Sequence, residues 1–230
     1  MPPRKNARVK VKICGITNWT DARQACAAGA DFLGFNFWPR SPRYITPAKA
    51  HAIVRRLPKE IASVGVFVNE PESSILKIAQ SVGLQYIQLH GEESPATVGR
   101  LQRILPVIKA IRVRESFRPG ELAPYHRASA ILLDGFDNKL PGGTGKTFAW
   151  VKARGARGYA KIFLAGGLTP ENIAGAIQAA QPFAVDACSS LESKPGKKNP
   201  ARVKAFVQSA KNARMINPSV KRIMKRKARS

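Results

Sequence analysis

Residues 63–91, SVGVFVNEPESSILKIAQSVGLQYIQLHG, hold one complete unit of the fold. Positions 63–68 form a short β-branched run, 72–82 carry apolar residues at helical spacing, and 86–89 form a second short apolar run. Two strands separated by a helix in so few residues imply a parallel βαβ crossover, because parallel neighbours need a connection that returns the chain to the same end of the sheet. The alternation repeats outward in both directions. Further strands are predicted at 9–14, 32–37, 107–111, 130–134, 162–165 and 183–186, and further helices at 21–28, 47–57, 95–104, 170–180 and 200–211. Thr46-Pro47, Ser94-Pro95 and Thr169-Pro170 read as helix starts, an N-cap hydroxyl followed by proline at the first helical position. The segment 114–127, with Pro119, Gly120 and Pro124, makes a weak helix, and 148–154 a short one. Eight strand–helix repeats in 230 residues predict an α/β fold, a single (β/α)8 TIM barrel with a basic C-terminal extension. The expected organisation is a basic segment at 1–8, a barrel at 9–212 and a tail at 213–230.

Composition narrows the class. At 44% apolar residues the chain is too hydrophobic to be disordered throughout, and its 18 glycines follow no collagen period. No apolar stretch approaches the roughly 20 residues that span a bilayer, and none behind the first basic residues is long enough for the core of a signal peptide. Three cysteines without a CxxC pair write neither a disulfide framework nor a zinc knuckle. The expectation is a protein of the reducing cytoplasm, with no membrane contact, no metal and no cofactor. The net charge of +25 is concentrated at the ends: residues 1–12 and 211–230 hold 13 basic side chains and no acid. The remainder, at +12, suits an enzyme acting on anions. The basic tail reads as a solvated run or as a weak polyanion contact; no aromatics are interleaved on which bases could stack.

In such a barrel the chemistry sits where strands run into the βα loops. Those positions hold Cys14, Arg43, His90, Asp134, Gly166-Gly167 and Asp186, including two of only five aspartates and one of three histidines. Gly142-Gly143-Thr144-Gly145-Lys146-Thr147 resembles a P-loop but fails on spacing, since Leu140 stands where its first glycine belongs. It reads instead as a barrel loop, either an anion-facing one or a plain connector. Gly166-Gly167 and Ser189-Ser190 fall where many barrels bind phosphate on loop amides. Lys197 and Lys198 add positive potential. Cys14 is either a buried small hydrophobe or a thiolate able to take a proton, and its position favours the second. Cys26 is explained by packing. His90 fits a core residue or a catalyst equally. Arg43, in a loop stiffened by Pro39 and Pro42, is a candidate to grip a carboxylate.

Lys12-Ile13-Cys14-Gly15-Ile16-Thr17, Ser41-Pro42-Arg43-Tyr44-Ile45, Gln88-Leu89-His90-Gly91, Leu132-Leu133-Asp134, Gly142 to Phe148, Ala165-Gly166-Gly167-Leu168 and Pro195-Gly196-Lys197-Lys198 together resemble the phosphoribosylanthranilate isomerase family, from about Val9 to about Lys211. The resemblance implies a cofactor-free step of tryptophan biosynthesis. N-(5'-phosphoribosyl)anthranilate undergoes an Amadori rearrangement to 1-(2-carboxyphenylamino)-1-deoxyribulose 5-phosphate. It implies that Asp134 is the general acid, its pKa raised by burial or a neighbouring anion, and that Cys14 is the general base. Arg43 would hold the anthranilate carboxylate, and His90 and Asp186 would line the sugar. Gly143, Gly166, Gly167, Ser189 and Ser190 complete the substrate-binding set. Three positions depart from the family pattern: Ser190 replaces a glycine, Asn199 a frequent acid, and Ala149 a common aspartate.

Two alternatives compete. Another phosphosugar isomerase or epimerase barrel would share the phosphate loops, and a nucleic-acid-binding role would follow from the tail. A monomer and a homodimer are both compatible with the sequence.

Overall fold

The computed structural model describes residues 8–135 and 144–213, with the side chains of 144–149 left undescribed. Eight parallel strands close into a barrel in chain order: β1 (Lys10–Ile13), β2 (Phe32–Asn36), β3 (Ala62–Phe67), β4 (Tyr86–Leu89), β5 (Val107–Val113), β6 (Ala130–Gly135), β7 (Ile162–Ala165) and β8 (Ala184–Ala187). Closure is made by β1, which pairs with β2 through Lys12 and Phe32 and with β8 through Lys12 and Asp186. Each predicted strand is present, its ends moved by no more than two residues.

Helices α1 (Trp19–Ala28), α2 (Pro47–Val54), α3 (Glu72–Val82), α4 (Pro95–Leu101), α5 (Thr144–Ala156), α6 (Ile173–Ala180) and α7 (Pro200–Asn212) surround the barrel. Their starts follow from side-chain chemistry. The hydroxyls of Thr46 and Ser94 accept from the amides of Lys49 and Thr97, and Asn18 and Asn199 do the same for Asp21 and Arg202. Asn199 therefore keeps the capping function that an acid would have there. Thr169-Pro170 is a correction: α6 begins at Ile173, after a turn in which Asn172 accepts from the Thr169 amide. After β5 the weak segment forms a 3-10 helix, Pro119–Tyr125, since Pro124 has no amide for an α-helical ladder. The helix expected to be short is instead α5, thirteen residues long, and it takes in 144–147, which sequence had assigned to a loop. Burial of Ala153 and Ala156 supports it despite Gly145.

The two-residue period of the strands sorts the apolar residues into two cores. Phe32, Val64, Ile108, Leu132 and Phe163 fill the barrel interior, while their strand neighbours Leu33, Val107, Leu133 and Leu164 pack against the helices. The inward parity that carries Leu132 continues to Asp134. On β1 and β8 the same face carries buried Lys12 and Asp186, so the barrel is charged inside near its mouth. Lys10 and Lys211, counted above among the basic ends, both bind Asp31 and tie β1 to α7. The rest of the tail lies outside the described residues. No helix among the described residues is long and apolar enough to cross a membrane.

Candidate active site

Cys14 directly follows β1, and the turn behind it needs glycine. Gly15 has φ +75°, and a Cβ there would stand 2.8 Å from the sulfur of Cys188 and 2.9 Å from Cδ of Arg43. The bare backbone lets both side chains close over Cys14. The Cys188 thiol donates to the Cys14 sulfur and draws its pKa well below the ordinary thiol range; burial opposes this, while Lys12 and Lys198 reinforce it. The same contact, with burial, pushes Cys188 up. Beneath lies Lys12, completely buried, with Nζ 3.0 Å from each carboxylate oxygen of Asp186. Burial lifts Asp186 to about 7, even though Lys12 pulls it down. The reciprocal attraction of Asp186 and Cys14 outweighs burial at Lys12 and holds its ammonium charged.

Asp134 meets His90 across the mouth, Oδ2 to Nε2 at 3.5 Å. His90 Nδ1 lies 2.9 Å from Gln88 Nε2; with the amide donating there, the imidazole carries its hydrogen on the nitrogen facing Asp134. The expected burial or anionic neighbour of Asp134 is corrected: its side chain is 33% exposed and its nearest polar neighbour is the His90 imidazole. His90 is held in place from behind. Glu93 accepts from the amides of Asn69 and Gly91 and binds buried Lys109 at 2.8 Å, and Lys109 also donates to the carbonyl of Gly91.

Arg43 is not free to wrap a carboxylate with its whole fork. Glu192 takes its Nε–Nη2 edge, Nε to Oε1 at 2.9 Å and Nη2 to Oε2 at 2.7 Å. Lys198, buried rather than a source of diffuse potential, binds the same Glu192 at 3.0 Å and the carbonyl of Cys188 at 3.2 Å. Both residues belong to a small antiparallel pair after β8, β9 (Glu192–Lys194) and β10 (Lys197–Lys198), turned by Gly196 at φ +77°. Sequence reasoning missed Glu192, Glu93 and Lys109, and the structural use of Lys12 and Lys198. A lysine inside a strand of otherwise apolar neighbours was the available signal for Lys12 and Lys109.

Gly166 and Gly167 both have positive φ, +83° and +62°. A Cβ on Gly166 would fall 2.0 Å from the carbonyl oxygen of Gly135, whereas at Gly167 nothing lies within 4 Å. The first glycine seats the loop on β6, and the second faces open space. Ser189 and Ser190 open a 3-10 turn, Ser189–Leu191, where first-turn amides lack helical acceptors. Ser190 needs no left-handed backbone, and its hydroxyl already donates to the carbonyl of Leu168, so its amide is what remains for a ligand. Gly143 lies outside the described residues.

A closed (β/α)8 barrel whose mouth gathers an activated thiol, a carboxyl–imidazole pair and two loops with open amides defines an acid–base enzyme of the TIM-barrel class. The model of the N-(5'phosphoribosyl)anthranilate (PRA) isomerase family matches residues 11–209, and the chain belongs to that family. It is 48% identical over 206 residues to the N-(5'-phosphoribosyl)anthranilate isomerase of Pelobacter propionicus, covering 90% of this chain and 97% of the relative. It is 48% identical over 204 residues to that of Rubrobacter xylanophilus, covering 88% and 99%. Among solved structures, phosphoribosyl anthranilate isomerase from Thermotoga maritima superposes with a TM-score of 0.82 at 43% identity, over 88% of this chain and 98% of the other. Another such isomerase, in complex with reduced 1-(o-carboxyphenylamino)-1-deoxyribulose 5-phosphate, superposes at 0.80 with 41% identity, over 88% and 98%.

Proposed function

We propose that Asp134 and Cys14 are the acid and base of the reaction at this barrel mouth. The activity is that of the family, isomerisation of N-(5'-phosphoribosyl)anthranilate in tryptophan biosynthesis, an aldose–ketose type intramolecular oxidoreduction. The other phosphosugar barrels and a nucleic-acid-binding role are not favoured. Asp134, beside His90, protonates the ribose ring oxygen, and the ring opens to a Schiff base. Cys14 as thiolate removes the proton from C2', and the enolamine tautomerises to the ketone. Arg43 receives the anthranilate carboxylate on the edge that Glu192 leaves open, and His90 and Asp186 line the sugar. The amides of Gly166, Gly167, Ser189 and Ser190, with Gly143, hold the phosphate.

The carrying observation is the sulfur of Cys14, just after β1 and against the Cys188 donor and two lysines, an environment that favours the thiolate and lowers the thiol pKa. A cytoplasmic setting follows from the same need, since this thiol must stay reduced. The assembly is a monomer or homodimer, and the basic tail makes at most a weak polyanion contact.

The test is the loss of fluorescence of freshly generated phosphoribosylanthranilate, without added metal, for wild type beside Cys14→Ala checked by circular dichroism. Turnover by wild type and a loss of about 10²–10⁴-fold in the folded variant are expected. Undiminished turnover by the variant overturns the base assignment.

A further inference from the structure

Three ionisable groups share one positive charge on the inner faces of β1 and β8. Lys12 is completely buried and holds both carboxylate oxygens of Asp186 at 3.0 Å, and the same ammonium helps draw down the pKa of Cys14. Gly34 on β2 makes room for the ammonium and the thiol side by side. A Cβ at Gly34 would stand 2.7 Å from Sγ of Cys14 and 3.2 Å from Nζ of Lys12. Within this trio one ammonium faces two groups that can each be an anion, and negative charge without a cation beside it is costly in a low-dielectric interior.

We propose that Lys12 is a positioning residue for the reaction, its ammonium shared between Cys14 and Asp186 so that one proton is exchanged between the thiol and the carboxyl. In one state Cys14 is a thiolate and Asp186 a neutral acid; in the other Cys14 is a thiol and Asp186 a carboxylate. Lys12 stays protonated in both. A carboxyl that burial has moved to about 7 is able to hold the exchanged proton at neutral pH. The other groups facing Cys14 are Cys188, Lys198 and Arg43, and His90 faces Asp186. They are common to both states. The proposal rests on Cys14 being the base, but its test does not use turnover.

Cys14 is partly accessible from the mouth, so its thiolate can be titrated by iodoacetamide. The alkylation rate of the Cys14 peptide, followed by mass spectrometry against pH, is compared in the full chain of wild type, Lys12→Met, Lys12→Arg and Asp186→Asn. Lys12→Met is expected to raise the midpoint by about one pH unit or more, a tenfold loss of thiolate at fixed lower pH. Lys12→Arg restores most of it. Asp186→Asn is expected to lower the midpoint, because the ammonium then serves the sulfur alone. These opposite signs separate charge sharing from mere packing. If Lys12→Met fails to fold, Lys12→Met/Asp186→Asn removes both charges together and is expected above wild type. Midpoints unmoved by loss of the Lys12 charge, a midpoint not lowered in Asp186→Asn, or a wild-type midpoint at the free-thiol value overturns the proposal. Failure of Cys14→Ala to lose turnover would instead remove the reading on which it rests.

Discussion

Glu192 holds Arg43 along a single edge of the guanidinium, with Nη2 at 2.7 Å from Oε2 and Nε at 2.9 Å from Oε1. The arginine is thereby aimed, and under the proposed function a substrate carboxylate would meet only its remaining edge. Glu192→Gln preserves the shape but weakens the hold. We expect KM to rise about 10- to 100-fold with kcat little changed, from the loss of charge-assisted hydrogen bonds that orient the guanidinium. A fall in kcat at constant KM in steady-state assays would show that Glu192 acts elsewhere.

Asp134→Asn leaves the contact with His90 but removes the acid. Its kcat is expected to fall about 10²–10⁴-fold, with KM within a few-fold of wild type. His90→Gln should cost less, since the carboxyl remains at the mouth. Equal activity of Asp134→Asn and wild type would assign ring opening to another group.

Cys188→Ala deletes the hydrogen bond that contributes most to lowering the Cys14 pKa. The acidic limb of the kcat/KM profile should move to higher pH, by about one unit. Cys188→Ser keeps a donor and should stay nearer to wild type. An unmoved limb in Cys188→Ala would leave the activation of Cys14 to the lysines alone.

Burial pushes Glu93 up, but the Lys109 ammonium and the Asn69 amide outweigh it and hold the carboxyl below its usual value. A carboxyl whose folded pKa is depressed contributes stability that is present above the unfolded value, near 4.5, and is lost as pH falls through the folded one. Lys109→Met leaves the carboxylate buried without its cation, and denaturant titrations at pH 7 are expected to show a loss of about 3–5 kcal/mol. In that variant the Glu93 share of acid destabilisation should disappear. A variant as stable as wild type at pH 7 would mean that the Glu93 carboxylate finds enough support in backbone amides.

The barrel was legible because strand and helix periods are properties of the local backbone. Tyr86 to Leu89 and Ile162 to Ala165 are bounded in the structure as sequence predicts them, as is the helix Glu72 to Val82. The errors fell where one turn type competes with another, at Thr169-Pro170 and at 144–147. Cys14, His90, Asp134 and Asp186 could be nominated because strand ends in a barrel share one rim. The pairing of Lys12 with Asp186 and of Glu192 with Arg43 could not.

Sequence by itself determined the order of strands and helices, the single barrel and the residues at its mouth, since each is written in neighbouring positions. Tertiary structure alone decided that Lys12 and Lys198 are buried cations, that Arg43 is half engaged by Glu192, and that Cys188 touches Cys14. These pairs lie far apart in sequence, as Arg43 and Glu192 do at 149 residues and Lys12 and Asp186 at 174. Only closure of β1 onto β8 brings them within hydrogen-bond range, and only then does burial decide which charge each group keeps.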